Sequence, residues 1–430
     1  MIHFDRQLKT QLSAWKRKAT KKPMILKGIR QVGKTTLVKE WGKEKYSRVV
    51  YFDLNHLMEW KELFNSDADP RCVIGKLETI YGSCIDPENT LIVLDNVDDC
   101  LTTLSYLPNF NHLEKRYHII AISSYLDILS KDFNEDFFNH VIIKTLKPLS
   151  FKEFLTKTSQ FGKASYTHYT GRDHIKSIRK KFYDILNQKY NEYLISGGMC
   201  EAASVYQKTK SISQAQTIKK KIQSCIEADF LKYNSGVLPK RIYEVWSSIK
   251  EHPLDVSIGF FKYSNIRSRC RGREYNSSID WLKKADIVHQ IDSSNGKSLY
   301  VLNDLGLYCN HFQNTPPNNA SFQRLAQLYF LSSIAKKFKS PKFIGKEIHV
   351  QVKDSSLKIL FLSHHRKTLK KMEECCNNPL INVSNNDLAF SGNMLNIPFF
   401  FVDELLKFLR IAQNQIKKNY FPEKRSADIY

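Results

Sequence analysis

Gly28-Ile29-Arg30-Gln31-Val32-Gly33-Lys34-Thr35 satisfies the pattern G-x-x-x-x-G-K-[ST] in full. Glycines at those places let a backbone wrap around an anion with its amides pointing inward. The lysine can reach the outer phosphates of a nucleotide, and the hydroxyl beside it can take Mg²⁺. With Thr36, which opens the following helical segment, Gly28 to Thr36 is the expected phosphate-binding stretch. The chemistry implied is the binding of a nucleoside triphosphate with its magnesium ion.

A second stretch, Leu91-Ile92-Val93-Leu94-Asp95-Asn96, carries a carboxylate at the end of an apolar run. Asp95 is placed to serve Mg²⁺ together with Thr35. The next position, where a water-activating carboxylate would be useful, holds Asn96, and an amide cannot accept the proton of an attacking water. Ser123 and Ser124 close another apolar run, where a polar side chain could sense the terminal phosphate or orient water. Asp95, Asn96, Ser123 and Ser124 are therefore the candidate catalytic set.

These residues need a scaffold. MILKG, RVVYFDL, TLIVLD, YHIIAISS and HVIIKTL read as strands separated by helical segments, and the segment after the phosphate loop, TTLVKEW, reads as a helix closed by Gly42. Continuous apolar strands of this kind predict a parallel sheet covered on both faces, an α/β core ending at Pro148. Beyond Phe151 the chain turns helical and basic. FGKASYTHYTGRDH reads as a surface loop, and SIRKKFYDILNQKYNEYLISGGM as a helix ending at Gly197-Gly198. KRIYEVWSSIKEH and REYNSSIDWLKKADIVHQI read as helices, and SLYVLND as a strand after the turn SSNGK. That order matches a winged helix-turn-helix unit. NTPPNN marks a linker. After it come the helix FQRLAQLYFLSSIAKKF, the strands EIHVQVKD, LKILFLS and IPFFFVD, and a final amphipathic helix.

Composition sets the outer limits. A chain of 430 residues exceeds one compact core, and 42% hydrophobic residues suffice for several. No apolar stretch is long enough to cross a membrane, and the amphipathic N-terminus lacks a secretory core, so a cytoplasmic protein without a membrane partner is expected. Nine cysteines without a C-x-x-C pair form neither a disulfide framework nor a zinc site. Lysine and arginine outnumber acids 66 to 43, a net charge of +23. Such an excess favours polyanions, nucleic acid above all, although a general lysine bias would produce it too. Arg267, Arg269, Arg271 and Arg273 crowd the approach to and start of the expected recognition helix, well placed either for phosphates or for packing against the ATPase core.

The order of motifs resembles a bacterial and archaeal family of AAA-type P-loop ATPases with a C-terminal domain of unassigned function. The family's G-x-R-Q-x-G-K-T is matched by GIRQVGKT. Its P-L-S-F-x-E-F is matched by Pro148-Leu149-Ser150-Phe151-Lys152-Glu153-Phe154. Its G-G-M-P-E-A is matched by Gly197-Gly198-Met199-Cys200-Glu201-Ala202, except at Cys200. Tyr263-Ser264-Asn265-Ile266 and Arg271-Gly272-Arg273-Glu274-Tyr275 look like its winged-helix elements. The resemblance implies ATP with Mg²⁺, and adenine over guanine. It also exposes departures. The family has Asp-Glu where this chain has Asp95-Asn96, and Thr-Gly-Ser where it has Ile122-Ser123-Ser124. A Gly-Arg of the family has no counterpart in SKDFNEDFFNH. Loss of a charge-stabilising arginine costs about three to five orders of magnitude in related NTPases. Binding is therefore expected to survive and fast hydrolysis to be lost.

The resemblance further implies a restriction-nuclease-like fold for the C-terminal part. An E-x-K position would fall near Ser363-His364-His365 and an aspartate position near His349, with Glu347 and Asp354 as the acids nearby. Without carboxylates at those positions, no phosphodiester cleavage is expected. The expected organisation is an ATPase core over 1–155, a helical linker over 156–230, a winged helix over 231–312 and a nuclease-like α/β domain over 313–430. Two functions compete. One is a slow ATPase working as a nucleotide-dependent switch or motor on nucleic acid, alone or as a homo-oligomer. The other is a non-catalytic, ATP-sensing interaction protein. A small-molecule kinase fits poorly, since nothing resembles an acceptor-binding lid.

Overall fold

The computed structural model describes residues 2–18, 22–55, 59–64, 68–114, 116–251, 260–308, 319–345, 347–352, 355–360, 380–391 and 393–420. Residues 314–318 of NTPPNN, Asp354 and Ser363-His364-His365 lie outside them. The first sheet consists of β1 (Met24–Lys27), β2 (Arg48–Asp53), β3 (Thr90–Asp95), β4 (His118–Ser123) and β5 (Ile142–Thr145). Its order is β2-β3-β4-β1-β5, and every pairing is parallel. All residues of β3 and β4 are buried, which explains why both read as unbroken apolar runs. One face packs against Trp41 and Trp15, the other against Trp60, Phe64 and Leu77. This is the α/β P-loop core expected from the sequence. Its functional side chains sit at the carboxyl ends of β1, β2, β3 and β4, where an open parallel sheet presents its ligands.

The helix after the phosphate loop spans Lys34–Lys45 and runs through Gly42. Gly42 does not stop it. A Cβ at Gly42 would come within 2.8 Å of Val49 and 3.0 Å of Leu91, so the glycine lets the helix lie close on β2 and β3. FGKASYTHYTGRDH is likewise corrected: Gln160–Thr170 is a helix, capped by Ser159 Oγ accepting from Gly162 N at 2.9 Å. Its Tyr166 and Tyr169 are buried, and Tyr166 meets Phe151 and Phe401 edge-on. The flanking glycines mask the helical spacing of these aromatic residues.

Two of the sequence motifs prove to be joints. In Pro148–Phe154, Ser150 and Glu153 form a capping box, and Glu153 Oε1 also takes Gln7 N at 2.8 Å and Arg6 Nε at 3.2 Å. Gly198 sits against Leu149, whose N–H donates to Gly198 O at 2.8 Å, and no side chain fits there: a Cβ would lie 2.8 Å from Leu149 O. Buried Asp304 accepts from Gly198 N at 2.6 Å and Gly306 N at 2.7 Å, tying the hairpin region to the same joint.

The helix with the expected recognition role spans only Asn276–Lys284. Asp286 turns the chain with φ 56°, and β6 (Val288–Ser293) pairs antiparallel with β7 (Ser298–Leu302), so VHQI is strand rather than helix. The remaining strands are β8 (Lys342–Ile344), β9 (Glu347–Val352), β10 (Ser355–Leu360), β11 (Leu380–Ser384), β12 (Ala389–Ser391) and β13 (Met394–Pro398). They continue the hairpin as one eight-stranded mixed sheet, β12-β13-β11-β10-β9-β8-β6-β7. The ladder β6·β8 carries its hydrogen bonds across residue 312, pairing Asp292 with Lys342. IPFFFVD departs from a strand after Pro398, whose missing N–H ends the ladder, and Phe399–Glu404 forms a 3-10 turn. No described helix is long and apolar enough to cross a membrane.

Candidate functional site

The phosphate loop connects β1 to the helix Lys34–Lys45. Gly33 has φ 98°, a backbone region costly for any side chain. Gly28 approaches Leu146 so closely that a Cβ would lie 2.3 Å from its carbonyl oxygen. Both pattern glycines are thus required sterically, independent of any ligand. Lys34 folds over the loop, donating to Gly28 O at 2.7 Å, Ile29 O at 3.2 Å and Ser124 Oγ at 2.9 Å. Burial lowers its pKa to about 8, against the opposing pull of Asp98 and Asp95. An ammonium held this way is poised to exchange carbonyl partners for phosphate oxygens.

Thr35 Oγ1 donates to Asp95 Oδ2 at 2.6 Å, so the two residues expected to share a metal are in contact. Tyr51 OH donates to the same oxygen at 2.9 Å, and Asn96 N reaches Oδ1 at 2.9 Å. A hydroxyl and a carboxylate side by side form a hard-oxygen donor set that suits Mg²⁺ and leaves room for water and phosphate ligands. Tyr51 has no sequence pattern to announce it. It comes from β2, which lies beside β3 in register, with Asp53 opposite Asp95.

Asn96 adopts a left-handed conformation, φ 58°, and its side-chain amide donates to Asp53 Oδ1 at 2.8 Å. Ser123 and Ser124 have different roles. Ser124 holds Lys34, whereas Ser123 Oγ donates at 2.5 Å to Asp98, away from any ligand. Asp98 is buried and also accepts from Ser124 N at 2.6 Å and Tyr125 N at 3.3 Å. Burial raises its pKa, countered by those donors and Lys34. Asp98 fixes the end of β4 and has no oxygen to spare.

Arg30 points out of the loop. Its Nε lies 3.2 Å from Asp229 Oδ2 on the helix Ile212–Lys232, and Tyr125 OH donates to that oxygen at 2.6 Å. The next turn repeats the link: Lys232 Nζ and Tyr233 OH reach Asp99 Oδ1 at 2.6 and 2.9 Å. Sequence reading misses Asp229 and Asp53, because each meets the site only through tertiary packing. It offers Asp98 and Asp99 as alternative water-activating residues, and Asp98 is instead occupied by Ser123, Ser124 and Tyr125. Around the loop opens a cavity of about 300 Å³, lined among others by Gln31, Thr36, Asn96, Ser124, Phe4 and Glu201. Ile29 and Val32 are buried beneath it, supplying backbone rather than side chain.

Arg267, Arg269, Arg271 and Arg273 are all exposed. Arg267 pairs with Glu274 at 2.8 Å, and Glu274 Oε1 accepts from Arg271 N at 3.0 Å, which holds the segment ahead of Asn276–Lys284. The opposite face of that helix meets the core: Trp281 lies 5.6 Å from Tyr125 and 5.4 Å from Phe230. Further along, Glu347 and His349 bond to each other at 2.9 Å on β9. Among the described residues no cluster of three metal-ligating side chains occurs.

Residues 20–155 match a family described as an AAA domain. Over that span the core is similar to AAA-type P-loop domains. Residues 187–317 match a second family, described as a domain of unknown function (DUF8612). No curated protein matches the chain. Among solved structures, the chain is similar to PCH-2 of C. elegans at 15% identity and TM-score 0.26, covering 50% of this chain and 63% of that one, less than two thirds of its length. It is also similar to the Aeropyrum pernix ORC2 protein in ADPNP-ADP complexes, at 12% identity and TM-score 0.28, over 76% and 95% of the two chains. Cdc6p from Pyrobaculum aerophilum gives 12%, 0.25, 75% and 92%.

Proposed function

We propose that the chain is a MgATP-binding switch that works on nucleic acid, with slow hydrolysis resetting it. The contact that carries this reading is Arg30–Asp229. A residue inside the phosphate loop is ion-paired to a helix of the following region, so a ligand on the loop acts directly on that region's position. Lys34 and the loop amides would bind the β- and γ-phosphates, and Thr35 and Asp95 would hold Mg²⁺, which would supply neutralisation of the phosphate charge. Ser124 releases Lys34 toward the nucleotide. The missing glutamate at 96 slows the chemical step without weakening the cradle.

The nucleic-acid side of the proposal draws on the exposed arginines Arg267, Arg269, Arg271 and Arg273 and on the net charge of +23. The helix they precede is anchored through Trp281 to Tyr125, and Tyr125 bonds Asp229. Loop, Asp229, Tyr125 and Trp281 thus form one packed chain from nucleotide to arginines. Self-association fits the same reading but has no contact here that argues for it. Duplex DNA affinity measured with and without MgATP tests the proposal. MgATP binding together with a changed DNA affinity supports it. MgATP binding without any DNA affinity favours the ATP-sensing interaction protein, and absence of MgATP binding defeats both.

A further inference from the structure

We infer that Asp53, at the end of β2, is the carboxylate that activates water in this site, with Asn96 as its positioning residue. The inference rests on the MgATP-binding reading above and adds a catalytic residue to it. Hydrolysis needs a proton acceptor near the terminal phosphate, and position 96 offers only an amide. The carboxylates around the end of β3 can be taken in turn. Asp95 is engaged at both oxygens, by Thr35 and Tyr51 at Oδ2 and by Asn96 N at Oδ1. Asp98 is buried and accepts three bonds. Asp99 holds Lys232 and Tyr233, facing the helix Ile212–Lys232.

Asp53 differs from all of these. It is exposed, it stands opposite Asp95 in the β2–β3 ladder, and strands in a sheet lie about 4.8 Å apart. Both described bonds to its carboxylate, from Asn96 Nδ2 at 2.8 Å and Asn55 N at 3.1 Å, go to Oδ1. Asn96 and Asn55 themselves line the cavity. Oδ2 receives no bond from a described residue, which leaves it able to accept a proton. The amide at 96 thereby acquires a purpose. An asparagine in the left-handed conformation can donate to a neighbouring carboxylate, which a glutamate at the same place would repel. The base has moved one strand over, and its former position now orients it.

In the step assigned to this pair, Asp53 Oδ2 takes a proton from a water molecule while the water oxygen bonds to the γ-phosphorus. The bond from that phosphorus to the β–γ bridging oxygen breaks, and the electron pair leaves with ADP. The proton on Asp53 then passes to solvent or to the released phosphate.

The test uses the full chain with Asp53→Asn, Asn96→Ala and Asn96→Gln, measuring MgATP affinity by calorimetry and single-turnover hydrolysis. Asp53→Asn should bind MgATP as the wild type does and lose about 100-fold or more in rate. Asn96→Ala should lose rate with MgATP affinity unchanged, and Asn96→Gln, which keeps an amide donor, should recover part of that loss. A purely structural asparagine would show no such recovery of rate at constant affinity. Unchanged turnover in Asp53→Asn with binding intact overturns the inference, as does a wild type that binds MgATP and never hydrolyses it. Loss of MgATP binding in the wild type would instead defeat the underlying reading of the cradle.

Discussion

Arg30 and Asp229 meet at 3.2 Å with the carboxylate nearly sealed from solvent, 4% exposed, and the guanidinium 25% exposed. Burial raises the pKa of Asp229, and the Tyr125 hydrogen bond and Arg30 oppose it. A charged pair so placed is costly to break from one side only, since the remaining carboxylate is left buried. The loop and the helix Ile212–Lys232 are therefore held in one relative position until something competes for Arg30. Incoming phosphates are such a competitor.

Asp229→Asn removes the ion pair and keeps an acceptor for Tyr125. It should cost about 1–2 kcal/mol of stability and tighten MgATP binding, because phosphates no longer have to displace Asp229 from Arg30. What it should abolish is the change in hydrogen exchange of residues 212–232 on adding MgATP. A full nucleotide response in this variant would show that Arg30–Asp229 does not carry the signal.

Lys34→Ala removes the charge that faces the outer phosphates. The expected loss is about 100-fold in MgATP affinity, equivalent to roughly 3 kcal/mol. Calorimetry reads this directly. An unchanged affinity would mean that the loop is not a working phosphate cradle.

Binding should also carry a proton signature. Lys34 has its pKa lowered from 10.5 to about 8 by burial. Phosphates alongside it restore the charged form, so MgATP binding takes up a proton above pH 8 and loses affinity as pH rises further. Below pH 8 the lysine is already charged and contributes no pH dependence. The sign for folding is the reverse of a stabilising lysine. The penalty for burying the ammonium is fully present below pH 8 and is relieved as pH climbs toward the unfolded value. Binding heats at pH 9 in two buffers of different ionisation enthalpy measure the uptake, and equal heats would contradict it.

Legibility in the sequence followed the range of the interactions. Lys34, Thr35 and Asp95 lie in contiguous patterns whose spacing mirrors local geometry, and the five parallel strands announce themselves by unbroken apolar runs. Asp53 and Asp229 belong to the site only because β2 lies beside β3 and a distant helix packs on Tyr125. Nothing in their local sequence distinguishes them from loop or helix acids. Asn96 was legible as a departure but its partner was not, so the sequence pointed to a lost base where the structure places a carboxylate one strand away. The helix Gln160–Thr170 was hidden by glycines at its start and end, although its tyrosines keep helical spacing. The sheet shared by β6 and β8 could not be read at all, because the linker between them looks like a boundary.

The four arginines ahead of Asn276–Lys284 give the sharpest test of the nucleic-acid reading. The sequence allows two roles for them: holding phosphates, or packing against the ATPase core. The core is met instead by Trp281, while Arg267, Arg269, Arg271 and Arg273 stay exposed. Replacing all four with glutamine should therefore leave the melting temperature close to that of the wild type, since exposed charges contribute little to stability. Arg267 gives up its pair with Glu274 at the surface, where solvent readily substitutes. Duplex DNA affinity should fall, and the log–log dependence on salt should flatten by about 0.9 for each phosphate no longer neutralised. Affinity at two salt concentrations, taken with the melting temperature, separates the possibilities. Undiminished DNA binding with an unchanged melting point would clear these arginines of any role. A lowered melting point with normal DNA binding would assign them to a protein interface and favour the ATP-sensing interaction protein.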